Sequence, residues 1–237
     1  MLNKNILAAK KRNKANFRNY VVFFDFDNTI TPYDILDDML PRFSRNDRWI
    51  ELEEKWKKGL IGSRACLEAQ IKEMRVYRKD LDKYLAQIEI DPYFKKLIDL
   101  LYNHKVKTVV LSDSFDYILN FILRSNTVSK LEIYCNKLRL LKNRLIPDFP
   151  FSDKKCQTCA HCKAKNLLAN TDKDSIIIYI GDGHSDICPA KYANIVFAKE
   201  ELLRHFRDNN LACLPYKSLK EVYMYIKRRF NGGKTNC

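Results

Sequence analysis

Strand-like, largely apolar runs alternate with amphipathic segments along most of this chain. The runs at 21–24 and 176–180 are apolar throughout, and those at 106–111 and 194–198 are mostly apolar. Runs of this length are typical of strands that are buried on both faces of a parallel sheet. The segments between them carry apolar residues at helical spacing. Strands that alternate with helices predict a doubly wound parallel-sheet α/β core with a Rossmann-like order.

Residues 35–90 interrupt this alternation with helical patterns alone. Leu36, Met39 and Leu40 mark one helical face, and further amphipathic stretches follow. Ser63 is predicted to cap the third of these helices, and a fourth is predicted over residues 80–88. Because the region lacks runs of β-branched residues, it predicts a small helical cap inserted after the first strand.

These patterns divide the chain into four parts. We expect a basic N-terminal arm at 1–19, an α/β core at 20–32 and 91–230, a helical cap at 33–90, and a flexible tail at 231–237. Asp91-Pro92 marks the return to the core, since proline suits the first turn of a helix. Residues 131–150 alternate apolar and polar side chains and predict a β excursion from the core.

Charge and composition narrow the choice of partners. The net charge is +14, which suggests an interaction with nucleic acid, but the basic residues are dispersed and nucleic acid is disfavoured as the main partner. The same positive field attracts small phosphorylated metabolites. No apolar run approaches the ~20 residues of a membrane span, and residues 1–19 lack the pattern of a signal peptide. We therefore expect a cytoplasmic protein with no membrane partner and with reduced cysteines.

Polar residues follow three of the predicted strands. Asp25 and Asp27 end the first, Ser112-Asp113 ends the second, and Gly181-Asp182 ends the third. Ligand sites in open α/β sheets lie at the carboxyl ends of strands. Paired acids there indicate a divalent cation held by oxygen ligands, with an ordinary turn as the alternative. A hydroxyl before a helix indicates an anion site, with simple N-capping as the alternative.

The order of these motifs resembles that of the haloacid dehalogenase-like phosphohydrolases. The matching stretches are Asp25-Phe26-Asp27-Asn28-Thr29, Leu111-Ser112-Asp113, a lysine before a helix, and Gly181-Asp182-x-x-x-Asp186. The helical insertion lies where subfamily IB, which includes phosphoserine phosphatases, carries its cap. The stretch 159–163 followed by 179–182 is similar to the branch containing 2-hydroxy-3-keto-5-methylthiopentenyl-1-phosphate phosphatase, to which phosphocholine phosphatases are close. The resemblance covers about residues 20–215.

The resemblance implies a Mg²⁺-dependent phosphatase that hydrolyses a small phosphomonoester through an aspartyl-phosphate. It gives Asp25 the role of nucleophile and Asp27 that of general acid and base. It also implies that Mg²⁺ is bound by the Asp25 carboxylate, the backbone carbonyl of Asp27 and Asp182.

The remaining motif residues receive supporting roles from the same resemblance. Ser112 and the amide of Asp113 would bind phosphate oxygens, and Lys163 would neutralise the phosphate and the nucleophile. Asp186 would orient Lys163, and Thr29 would brace the first loop. Lys165 is the alternative to Lys163, which motif position favours.

Substrate specificity is expected to come from the cap. Asp34 is a candidate because phosphoserine phosphatases place an acid at the same offset from the nucleophile, although a helix-capping aspartate is the alternative. Arg64, at the start of the third cap helix, is a second candidate.

Two further alternatives remain open at the level of sequence. Cys156, Cys159 and Cys162 could bind zinc, with Cys135 or His161 as a fourth ligand, or could be plain reduced thiols. The same core could also serve a phosphotransferase or mutase, or a basic nucleic-acid-binding protein without catalysis. The intact set of acids and lysine favours an enzyme.

Overall fold

The computed structural model describes residues 17–129, 131–153, 156 and 158–230. Most of the predicted basic arm and the whole predicted tail at 231–237 therefore lie outside the described residues. Phe17–Asn19, the described end of the arm, forms one 3-10 turn. The domain boundaries at 20–32, 33–90 and 91–230 stay predictions.

Among the described residues, seven strands form one sheet in the order β4-β3-β2-β1-β5-β6-β7. The strands are β1 (Tyr20–Phe24), β2 (Lys107–Phe115), β3 (Glu132–Leu141), β4 (Arg144–Asp148), β5 (Ile176–Gly181), β6 (Ile195–Ala198) and β7 (Leu214–Pro215). Every neighbouring pair is parallel except β3 and β4, which form an antiparallel hairpin. The predicted doubly wound α/β core is confirmed.

Strand β1 lies at the centre of the sheet, between β2 and β5. Its residues alternate between two apolar clusters, with Val22 and Phe24 in the cluster on one face and Val21 and Phe23 in the other. Each fully buried Phe contributes roughly 1.5–3 kcal/mol relative to an exposed one. Burial on both faces explains why the run is apolar without alternation.

Ten α-helices accompany the strands in the part of the chain that the structure describes. The first four are α1 (Ile35–Phe43), α2 (Arg48–Lys57), α3 (Ser63–Glu73) and α4 (Arg78–Leu85), and they form the predicted cap after β1. The others are α5 (Phe94–Asn103), α6 (Asp116–Ser125), α7 (Lys163–Ala169), α8 (Ile187–Ala190), α9 (Glu200–Asp208) and α10 (Leu219–Phe230).

Three local predictions are corrected by the structure. Ser63 is the first residue of α3 and makes no capping hydrogen bond. Its hydroxyl accepts a hydrogen bond from the Trp56 indole instead, at 2.9 Å. The fourth cap helix spans Arg78–Leu85 instead of the predicted residues 80–88. The second strand, predicted to end at residue 111, continues to Phe115. Strand β7 was missed because two residues carry no periodic pattern.

Candidate active site

The predicted polar strand ends meet at one edge of the sheet. The register places Phe24 beside Val110 of β2 and Ile180 of β5, so the residues that follow these three come together. Asp25 keeps one more link to β5, since its amide donates to the Ile180 carbonyl at 2.9 Å. Topology alone therefore brings together the ends of three strands that are far apart in the sequence.

The loop after β1 turns sharply and leads into the cap. The Phe26 carbonyl accepts hydrogen bonds from the amides of Ile30 and Thr31, and Asn28 has a positive φ of 54°. Asp27 Oδ1 accepts the Ile35 amide at 3.0 Å, at the start of α1. Burial raises the pKa of Asp27 well above its ordinary value, and the nearby carboxylate of Asp34 adds to this effect. The surroundings thus favour a protonated Asp27.

Lys163 connects two of the buried acids. Its Nζ lies 2.6 Å from Asp25 Oδ1 and 2.8 Å from Asp186 Oδ1, and the lysine side chain is only 2% exposed. Burial opposes its charge, but Asp186 and Asp25 outweigh that effect and raise the pKa of Lys163. Lys165, two residues on, is exposed and lies 3.7 Å from Asp153. The ammonium group in this site therefore belongs to Lys163.

Asp186 is fully buried and fully hydrogen-bonded. Its Oδ1 accepts the Tyr179 hydroxyl at 2.7 Å as well as Lys163. Its Oδ2 accepts the amides of Asp182 at 3.0 Å and Gly183 at 3.1 Å. A carboxylate with four donors has a fixed orientation, so Asp186 can orient the lysine.

Asp182 faces the same space from the end of β5. Thr29 donates its hydroxyl to Asp182 Oδ1 at 2.9 Å, and the Tyr216 hydroxyl lies 3.2 Å from that of Thr29. Burial and the charge of Asp186 raise the pKa of Asp182 to about 6. Thr29 thus joins the first loop to the end of β5.

Three buried carboxylates could hold a cation. Oxygen atoms of Asp25, Asp182 and Asp186 all lie within 4.8 Å of one another. Burial and the charge of Asp186 raise the pKa of Asp25 well above its ordinary value, as expected for crowded acids with too little positive charge nearby. Because all the oxygens of Asp186 have donors, Asp25 and Asp182 are the carboxylates free to bind a hard divalent ion.

The end of β2 bulges out of the sheet next to Lys163. Leu111 pairs with Tyr134 and Phe115 with Asn136, so residues 112–114 lie outside the regular register. The Ser114 amide donates to Ser112 Oγ at 3.0 Å. Burial raises the pKa of Asp113, whose carboxylate accepts the His161 amide at 3.1 Å. Backbone amides and a hydroxyl in such a bulge can bind an anion.

A cleft of about 510 Å³ separates these residues from the cap. Its cap wall includes Asp34, Asp37, Glu53 and Trp56. Asp34 also caps α1, because its Oδ1 accepts a hydrogen bond from the Asp37 amide at 3.0 Å. Its position therefore agrees both with a helix cap and with a residue of the cleft wall. The predicted specificity residue Arg64 is exposed and does not line this cleft; its guanidinium lies 5.4 Å from the centre of the Phe149 ring.

The cysteine cluster shows no metal-like arrangement in the described part of the chain. There the three-aspartate group alone brings ligand atoms within 4.8 Å. Cys156 is a free thiol, and the Thr158 hydroxyl lowers its pKa to about 7.

His184, in the loop after β5, is exposed, and its Nδ1 lies 3.6 Å from Glu201 Oε1.

Four buried residues of the site were not predicted as functional from the sequence. They are Tyr179, Tyr216, His161 and Asn166, and each hydrogen-bonds a motif residue or one of its neighbours. Tyrosines in or near strands resemble ordinary core residues, so the pattern gave no signal. His161 was considered only as a zinc ligand, because its partner Ser112 lies 49 positions away.

No helix in the described part of the chain is long and apolar enough to cross a bilayer.

Comparison with known proteins gives consistent matches. Residues 20–201 match the family model described as Putative Phosphatase. The 2-hydroxy-3-keto-5-methylthiopentenyl-1-phosphate phosphatase of Bacillus cereus (strain B4264) is 25% identical over 214 residues, which cover 87% of this chain and 95% of the relative.

Solved structures share the fold. Phosphoserine phosphatase from T. onnurineus superposes with a TM-score of 0.66 at 20% identity, covering 90% of this chain and 96% of that one. A HAD family hydrolase from Salmonella enterica subsp. enterica serovar Typhi superposes with a TM-score of 0.69 at 15% identity, and the match covers 88% of this chain and 71% of that one.

Proposed function

Because this chain belongs to the family described as Putative Phosphatase, we propose that it hydrolyses a small phosphomonoester through a phosphorylated Asp25. The observation that carries the proposal is the ion pair of Lys163 with Asp25 and Asp186 at the edge of the sheet. Burial and Asp186 raise the pKa of Asp25, whereas the nearby charge of Lys163 lowers it, so the ion pair with Lys163 favours the ionised carboxylate in the wall of the cleft. A buried, ionised and oriented carboxylate is suited to nucleophilic attack.

The reaction has two steps. Asp25 attacks phosphorus, the bond to the leaving oxygen breaks, and Asp27 gives that oxygen its proton. Asp27 then takes a proton from water, which attacks the phosphorus of the aspartyl-phosphate and releases inorganic phosphate. The raised pKa of Asp27 supports this exchange, because a carboxyl that keeps its proton at a pH where an ordinary aspartate has lost it can donate that proton.

Ser112, the amide of Asp113 and Lys163 are proposed to bind the phosphate oxygens. Mg²⁺ would be held by the carboxylates of Asp25 and Asp182 and by the backbone carbonyl of Asp27, and it would supply positive charge that offsets the repulsion between the acids and the phosphate. The crowding of the three aspartates fits such an ion. Thr29 would hold Asp182 in place for it.

The cap, with proposed boundaries at 33–90, would select the substrate's leaving group. Its wall carries Asp34, Asp37 and Glu53. These acids favour leaving groups that carry an ammonium group over those that carry only carboxylates. Asp34 is the proposed specificity residue. Arg64 lies outside the cleft wall, so no role in specificity is proposed for it.

Hydrolysis of p-nitrophenyl phosphate with and without Mg²⁺ tests the proposed function. We expect Mg²⁺-dependent release of inorganic phosphate without any added acceptor alcohol, and its loss in Asp25→Asn. A transferase or mutase would need an acceptor. Activity that survives Asp25→Asn would exclude the covalent step. The physiological substrate can be sought by comparing phosphoethanolamine, phosphocholine, phosphoserine and 2-hydroxy-3-keto-5-methylthiopentenyl-1-phosphate.

A further inference from the structure

The bulge in β2 leaves backbone carbonyls that the sheet does not pair. Three β2 residues, 112–114, stand opposite the single residue Cys135 of β3. A bulge interrupts the ladder of hydrogen bonds at this point. Ser112 is 1% exposed, so water is excluded around it. A buried carbonyl without a donor costs about 1–3 kcal/mol, so this segment needs donors from elsewhere.

Two side chains supply those donors. His161 Nδ1 lies 2.8 Å from the Ser112 carbonyl oxygen, and Asn136 Nδ2 donates to the Asp113 carbonyl at 2.6 Å. His161 is 2% exposed. Its ring therefore lies inside the protein and behind the proposed phosphate site, where it does not line the cleft.

Asn166 determines which ring nitrogen carries the proton. Its Nδ2 lies 2.8 Å from His161 Nε2, and an amide nitrogen can only donate. Nε2 therefore accepts, and the proton is on Nδ1, facing the Ser112 carbonyl. Burial lowers the pKa of His161 to about 4, which agrees with a neutral ring.

The same residue connects the bulge to the loop that carries Lys163. The His161 amide donates to Asp113 Oδ1 at 3.1 Å, and Lys163 follows two residues later. His161 thus contacts the bulge through both its ring and its backbone. Any shift of the bulge relative to Lys163 would break one of these hydrogen bonds.

We propose that His161 is a positioning residue, whose ring holds the Ser112 carbonyl and so fixes the phosphate-binding groups of residues 112–114 relative to Lys163. The proposal rests on the proposed function, because it assumes that these groups bind the phosphoryl oxygens. The residue contacts no substrate and transfers no proton.

Three substitutions separate the ring nitrogens. The amide nitrogen of His161→Asn can take the place of Nδ1, that of His161→Gln reaches the place of Nε2, and His161→Leu supplies neither. With p-nitrophenyl phosphate we expect kcat/KM to fall about tenfold or more in the Gln and Leu variants, and to stay within about threefold of wild type in the Asn variant. Inhibition by inorganic phosphate should weaken in the same order.

Stability and turnover are measured separately. Asn126→Ala serves as a control because its side chain pairs the carbonyls of Ile88 and Ile122 away from the site, so a loss of Tm alone should not lower kcat/KM. Equal activity of the Asn and Gln variants, or a loss of activity that only follows Tm, would overturn the proposal.

Phosphate binding gives a readout that does not depend on turnover. If neither the wild type nor Asp25→Asn hydrolyses the substrate, the proposed function fails. The rise in Tm on adding inorganic phosphate and Mg²⁺ still tests the role of His161. We expect that rise in wild type and in the Asn variant, and its loss in the Gln and Leu variants. A full rise in the Leu variant would overturn the positioning role.

Discussion

Gly181 and Asp186 approach each other so closely that no side chain fits between them. A Cβ on Gly181 would lie 2.4 Å from Asp186 Oδ2 and 2.7 Å from its Cγ. Asp186 cannot retreat, because the Tyr179 hydroxyl, Lys163 and two backbone amides hold it. The position of the Asp186 carboxylate, which accepts a hydrogen bond from Lys163, therefore requires a residue without a side chain at 181.

Gly181→Ala should displace Asp186 and with it Lys163. We expect kcat to fall about 100-fold, since a displacement of ~1 Å in a reacting group costs that much, and stability to fall by about 1–3 kcal/mol. Gly183→Ala is the matched control, because a Cβ there meets no atom within 4 Å. Steady-state kinetics and urea unfolding measure both effects. Equal activity of the two variants would contradict the packing argument.

Lys163→Ala should remove the positive charge that Asp25 and Asp186 share. We expect a loss of about 3–5 kcal/mol in stability because two buried carboxylates lose their partner. The kcat should fall about 100- to 1,000-fold. Lys165→Ala, in the same helix but exposed, should change stability by less than about 0.5 kcal/mol. An inactive Lys165→Ala with an active Lys163→Ala would transfer the role to Lys165.

Thr29→Val should weaken Mg²⁺ binding without touching a metal ligand. The hydroxyl of Thr29 donates to Asp182 Oδ1, and loss of such an outer hydrogen bond costs about 10- to 100-fold in metal affinity. The Mg²⁺ concentration for half-maximal activity should rise accordingly. Thr31→Val is the control, because the Thr31 hydroxyl donates to the Tyr33 carbonyl. Similar Mg²⁺ dependence in both variants would rule out this role for Thr29.

The stability of the wild-type protein should contain a contribution from His161 that depends on pH. Its pKa is about 4 in the folded protein against an ordinary value of 6.5, so the unfolded chain binds a proton first as pH falls. The contribution is present above pH 6.5 and is lost as pH falls toward 4, by roughly 3 kcal/mol in total. His161→Asn should lose less stability over this window in urea unfolding. Parallel pH curves for the two proteins would contradict a buried neutral histidine.

The order of secondary structure could be predicted because burial imposes its pattern directly on the sequence. The run from Val21 to Phe24 is apolar throughout because both of its faces are covered, and the cap helices α1, α3 and α4 each bury apolar residues. The family match over residues 20–201 confirms the predicted phosphohydrolase class. Short elements were harder: β7 has two residues and the β2 bulge has no periodicity of its own.

The sequence by itself therefore determined the fold class, because local periodicity reflects burial, and it placed the helical insertion after the first strand; the roles of the motif residues came from the family resemblance and stay predictions. Only the tertiary structure decided which groups support them. Tyr179 hydrogen-bonds Asp186, which lies 7 positions away in the sequence. His161 contacts Ser112 across 49 positions, and Tyr216 contacts Thr29 across 187 positions. Such pairings arise where separate strands end side by side, and a linear pattern does not record which strands are neighbours.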